Sequence, residues 1–154
     1  QISMIPEASG ATPVGIFLLA DGFLDAARET AQTRRKATDG PTRLLCYHSC
    51  ELFLKAFLRE RGEDIEILRA YGHDLGKMLD SAKAKGLLPS RRVEKAITRV
   101  VAQNDYVRVR YMVVETDKDL ASGDVLRLAE RIRNAVRHAL HLDEFGMPLD
   151  PSIS

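Results

Sequence analysis

Between Thr42 and Arg61 the chain carries Leu44, Leu45, Cys46, Tyr47, Cys50, Leu52, Phe53, Leu54, Ala56, Phe57 and Leu58. Wound as a helix, this segment is apolar nearly all round, so no face of it can rest comfortably in water. It has to lie at the centre of a helical bundle or in a seam between subunits. Every other element must be arranged around it.

The flanking segments have the pattern of helices with one apolar stripe. From Gly15 onward, Ile16, Leu19, Ala20, Phe23, Ala27 and Ala31 recur at three and four, and the basic cluster Arg34, Arg35 and Lys36 suits the negative end of that helix. The turn Thr38-Asp39-Gly40-Pro41 follows, with Asp39 or Thr42 as candidate cap for the central helix. Beyond Gly62 a helical turn is expected over 64–71. A helix then runs to Lys85 with Leu75, Met78, Leu79 and Ala82 inward, and Pro89-Ser90 opens another with Val93, Ala96, Ile97, Val100 and Val101. Asn104-Asp105 breaks it. Tyr106 to Val114 reads either as a short extended piece, being rich in β-branched and aromatic residues, or as a kinked continuation. A loop at 116–119 precedes the last helix, about Ser122 to Asp143.

The expected fold is therefore all-α, an up-and-down bundle of four to five helices over residues 15–144. A flexible lead-in (1–14) and a frayed tail (145–154) flank it. A chain of 154 residues, 45% of them hydrophobic, has the apolar content for one such domain. No apolar run reaches the roughly 18 residues that a bilayer demands, so no membrane association is expected. With 23 basic against 22 acidic residues the net charge is +1. Attraction to nucleic acid must then come from local clusters. Cys46 and Cys50, four apart on an apolar helix, read as core thiols, which fits a reducing, cytoplasmic setting.

The signatures of the common enzymes are missing: no phosphate-cradling glycine loop, no HExxH and no GxSxG. No cofactor is expected. On the central helix His48, Glu51 and Lys55 follow one another at three and four, along one stripe. Set among apolar neighbours they must be partly buried and must find partners, with His73 and Asp74 as candidates. The plain reading is a polar network that fixes helix register, and the sharper one a ligand site. A metal would need a further convergent ligand beside His48 and Glu51.

The run from Leu45 to Ala56 resembles the central helix of HEPN domains, small helical bundles named for nucleotide binding in higher eukaryotes and prokaryotes. Tyr71-Gly72-His73-Asp74-Leu75 followed by Leu79 is similar to the start of that family's next helix, at a fitting distance. The resemblance implies a bundle over roughly residues 15–143. It also implies an association with RNA or nucleotides, and a homodimer. Many members are metal-independent endoribonucleases, often toxins paired with a nucleotidyltransferase antitoxin. Their motif is an Arg, a polar residue, three to five more residues, and a His.

Arg133-Asn134-Ala135-Val136-Arg137-His138 matches that motif. By the resemblance His138 would move protons at the 2′-hydroxyl and the leaving oxygen, and Arg133 would hold charge on the phosphate. The looser spacing also occurs from Arg43 to His48 and from Arg131 to His138. On an unbroken helix residues five apart point about 140° from each other, so Arg133 and His138 need a helix break or a site shared between two chains. Arg131, seven residues from His138, shares its flank. Basic stretches lend support for RNA: Arg91, Arg92, Lys95, Arg99, Arg108 and Arg110 in one, and Arg127, Arg131, Arg133 and Arg137 in another. Tyr106 and Tyr111 are candidates for stacking on bases. A non-catalytic ligand-binding or protein-interaction module on the same bundle is the competing expectation.

Overall fold

A computed structural model describes residues 11–33, 38–111 and 120–149. Among these the order is α1 (Pro13–Gln32), α2 (Gly40–Glu60), α3 (Ile65–Ala70), α4 (Leu75–Ala84), α5 (Arg91–Ala102), α6 (Asp105–Arg108) and α7 (Ser122–Ala139). There is no β-strand among them, only one isolated antiparallel bridge between Leu142 and Pro148. Among the described residues no helix is long and apolar enough to cross a membrane.

The apolar segment takes the central place. Twelve residues of α2 are buried, from Thr42 to Leu58, and the helix packs on α1 and α7 and touches α3, α4 and α6. Phe17 of α1 meets Phe53 of α2 with ring centroids 5.0 Å apart. Burying side chains of that size stabilises by about 2 kcal/mol each, so the core is organised around α2. Cys46 and Cys50 are free and buried within it. Burial, then the Glu130 charge, pushes the Cys46 thiol up to about 12, and burial pushes Cys50 well up. Both are inert packing groups.

Several boundaries and faces differ from the expectation. Helix α1 begins two residues early, because Thr12 accepts from Gly15 N at 3.0 Å and Pro13 suits the first turn. Its buried face is Phe17, Ala20, Leu24 and Ala27, while Leu19 is 56% exposed. The segment contains two overlapping apolar stripes that share Ala20 and Ala27, and the one carrying Phe17, which packs on Phe53, takes the interior. Neither Asp39 nor Thr42 caps α2 through its side chain. Asp39 is the first flanking residue but makes no capping bond; its carboxylate takes Arg43 Nε at 2.9 Å and the Ser122 hydroxyl instead. Helix α7 stops at Ala139, short of Asp143, where Leu140 ends it and His141 turns to φ 54°. Val101, expected inside, is 48% exposed.

Tyr106 to Tyr111 follows the helical alternative. Asn104 adopts φ 52°, a left-handed conformation that asparagine tolerates, and α6 starts immediately after it. That kink turns Asp105 and Tyr106 inward, to 3% and 4% exposure. The basic cluster 34–36, the loop 116–119, the segment 112–114 and the residues 1–10 and 150–154 lie outside the described residues.

Candidate functional site

Glu51 sits in the middle of α2, almost fully buried, and a carboxylate there needs donors on both oxygens. Lys55, one turn on, gives Oε2 a hydrogen bond at 2.8 Å and reaches the Gly72 carbonyl at 3.3 Å. The turn before α4 brings His73 Nδ1 to 2.7 Å from Oε1, and the kink before α6 brings the Tyr106 hydroxyl to 2.8 Å from the same oxygen. His48 Nδ1 lies 3.2 Å from that hydroxyl and 4.0 Å from Oε1. Three elements thus converge on one carboxylate.

The charges follow from this geometry. Burial alone would raise the Glu51 carboxyl, but the bonds from His73, Lys55 and Tyr106, with the Lys55 charge, outweigh it and hold the group below its ordinary value. Glu51 is therefore ionised, so both Tyr106 and His73 donate to it. The Tyr106 hydroxyl is held well up by burial and by Glu51 beside it. Its oxygen can then accept from His48 Nδ1, which fixes the His48 tautomer. Burial lowers the His48 imidazole against the opposing pull of Glu51, with His73, Lys55 and Arg110 adding to the lowering.

Beside this cluster lies a half-open depression of about 330 Å³, lined by Tyr71, His73, Asp74, Leu75, Val100, Val101, Asn104, Tyr106 and Val107. Asp74 lies on its rim and does not join the Glu51 network; its Oδ1 caps α4 by accepting from Lys77 N at 3.0 Å. Of the five polar residues expected here, His48, Glu51, Lys55 and His73 meet and Asp74 stands apart. The residue that sequence reasoning missed as a partner is Tyr106. Its sequence context suits a stacking platform, yet its ring is enclosed by Tyr47, His73 and Arg110, the last 4.8 Å from the ring centroid. The one signal for it was its place directly after Asn104-Asp105.

A second buried polar group adjoins the first. Tyr47 donates to Asp105, whose Oδ2 lies 3.7 Å from Arg43. Burial, then Asp105, raises the Tyr47 hydroxyl. This network ties α6 to α2 and so holds Tyr106 at Glu51.

The Arg–His motif is distributed differently. Helix α7 is unbroken from Ser122 to Ala139, so Arg133 and His138 diverge. Arg133 is engaged elsewhere: its Nε and a terminal nitrogen take both oxygens of Asp21 at 2.5 and 3.0 Å, and the Glu144 carbonyl at 2.6 Å. Its guanidinium also lies over Phe17, 5.4 Å from the centroid. Asn134 and His138 are exposed and Arg131 is half-buried. In the basic stretch of α5, Arg91, Arg92, Lys95 and Arg99 are exposed, and Tyr111 is 81% exposed. Among the described residues no group of three or more His, Cys, Asp or Glu is placed to hold a metal ion.

Compared with family models, residues 19–139 match the one described as HEPN domain. No curated protein matches, and no solved structure does.

Proposed function

Since the chain belongs to the HEPN domain family, we propose that it is a nucleotide- or RNA-associated binding module whose ligand site is the Glu51 cluster and the depression beside it. One observation carries this reading: a buried, ionised carboxylate is held by Lys55, His73 and Tyr106, and the last two of these line the half-open depression beside it. A network that served only helix register would have no need of a concave, aromatic-lined edge. The exposed arginines and lysine of α5 supply the positive charge that a phosphate backbone requires. A homodimer in the cytoplasm is the expected working form.

A second reading is favoured by one feature of α7. Arg131 and His138 share a flank, and no side-chain bond to another described residue commits either of them. Brought against a second copy, that flank would offer a base and a phosphate-holding cation for metal-independent RNA cleavage. The protein would then be the nuclease of a toxin–antitoxin or defence module, partnered by a nucleotidyltransferase-type antitoxin.

One preparation separates the two. Wild type, Glu51→Gln and His138→Ala are each incubated with single-stranded and transfer RNA in EDTA, and binding and cleavage are followed together. The binding reading expects RNA or nucleotide binding that weakens in Glu51→Gln, with no cleavage. Cleavage that disappears in His138→Ala would establish the nuclease. Binding that Glu51→Gln leaves unchanged would remove the cluster from the site.

A further inference from the structure

We infer that the outer crest of α1 and the turn after α7 form the contact face of a two-fold dimer, in which the Phe145 turn of each copy enters an apolar groove on the other; this rests on the reading of the protein as a homodimer. Leu18 and Leu19 of α1 and Phe145, Met147 and Leu149 of the turn are 41–72% exposed. At about 200 Å² for a whole side chain of this size, they leave roughly 500 Å² of apolar surface open, near the most that a monomer usually shows. Each half of a stable interface covers about 800 Å², and about two-thirds of it is apolar between identical subunits. The patch has the size of one such half.

The turn is firmly held. Asp143 Oδ1 accepts from Phe145 N at 2.8 Å and from Met147 N at 3.0 Å, and Asp143 N donates to the Met147 carbonyl at 2.7 Å. Gly146, at φ 80°, lies so close on α1 that a Cβ there would come within 3.0 Å of Phe17 and 3.1 Å of Leu18. The missing side chain seats the turn on one flank of α1 and leaves Phe145 uncovered. On the other flank Ile16, Leu19, Leu52, Ile65 and Leu68 line an apolar depression of about 300 Å³. Turn and groove stand at the same level of the helix, the first beside Phe17 and Leu18, the second beside Gly15 to Leu19. Between Leu18 and Leu19 on the helix surface lies Gly22, exposed, where a Cβ would meet nothing within 4 Å among the described residues. Packing within one copy gives no reason for a glycine there, which weakens a helix, whereas a second helix laid on the crest needs the room.

This face complements itself. A two-fold axis along α1 exchanges the flanks of two facing copies, so it sets each turn into the opposite groove and each crest against its own image. The charges agree with that pairing. Glu144 is exposed beside Phe145, and the groove lining includes Lys55 and Arg69. Lys55 is committed to Glu51, while Arg69 is exposed, 3.8 Å from Glu66. Turn against turn would bring like charges together. On α7 the Arg133 side faces α1, so the side carrying Arg131 and His138 stays outside this seam.

The test is sedimentation velocity of the full chain over a range of concentrations. The wild type is expected to be a dimer. Phe145→Asp, at an exposed position, and Gly22→Trp, where a single copy leaves space, should each weaken it roughly tenfold or more while circular dichroism shows unchanged helix content. Glu144→Arg should weaken it as well, and adding Arg69→Glu should restore it. If that exchange restores nothing, the pairing of turn with groove falls. A dimer that withstands both Phe145→Asp and Gly22→Trp overturns this face and leaves the homodimer standing on another. A wild type that is monomeric throughout, with the patch left to residues 1–10 or to a different protein, overturns both.

Discussion

The Glu51 cluster and the Arg133–His138 segment teach opposite lessons about adjacency. Arg133, Asn134 and His138 are neighbours in the chain and matched a known pattern, yet α7 turns them apart, and Asp21 and the Glu144 carbonyl hold Arg133. Glu51, His73 and Tyr106 come from three separate elements, and His73 and Tyr106 each reach to within 2.8 Å of a single Glu51 carboxylate oxygen. A helix fixes angular separation by its pitch, so contiguous motifs on it are dispersed. A buried charge gathers its partners from wherever the chain can supply them.

The sharpest test of that contrast is Glu51→Ala. It leaves Lys55 and His73 without their acceptor and opens a hole in α2, so a loss of about 3–5 kcal/mol is expected in urea unfolding, with an unchanged m-value. A loss below one kcal/mol would mean that water replaces the carboxylate and that the cluster is not closed. Arg133→Ala comes next, at about 2 kcal/mol, since it breaks a two-pronged ion pair whose side chains are only 15% and 20% exposed. If Arg133 were held for substrate and not for the fold, its removal would leave stability untouched.

Tyr106→Phe keeps the ring packing and deletes one donor to Glu51 and one acceptor for His48, for an expected loss of about 1–2 kcal/mol. Acid should then reveal two steps. His48 is held below its ordinary value of 6.5, so between 6.5 and its folded value the unfolded chain binds the extra proton; stability falls as pH drops through that window and is level above it. Glu51 is held below 4.5 and has the same sign at lower pH: its contribution is full above 4.5 and is lost as pH falls through the folded value. Equilibrium unfolding from pH 8 to 3 should show both slopes. His48→Asn should remove the upper one and Glu51→Gln the lower. The smallest effect belongs to His138→Ala, within about 0.5 kcal/mol, because the ring is exposed. A larger loss would reveal a structural role for that histidine and weaken the contrast between the two regions.

Much of the bundle was legible beforehand. The buried face of α4 falls where the periodicity put it, at Leu75, Met78, Leu79 and Ala82. The His48–Glu51–Lys55 stripe was legible too, as polar residues on an otherwise apolar helix. The face of α1 was not, because two stripes competed and only the fit of Phe17 against Phe53 chose between them. Tyr106 was not either. Its direction depends on the φ of 52° at Asn104, a single backbone choice that no periodicity encodes.

By itself, then, the sequence determined that α2 had to be buried, that the protein is helical, and that Glu51 had to be paired. These follow from hydrophobic burial and charge desolvation, which depend on residue type and spacing alone. Tertiary structure decided which groups answered Glu51, that Asp74 stayed out of the network, and that Arg133 turned to Asp21. Those outcomes depend on where kinks, caps and crossing helices deliver particular atoms within about 3 Å, a precision that spacing along one helix does not carry to its neighbours.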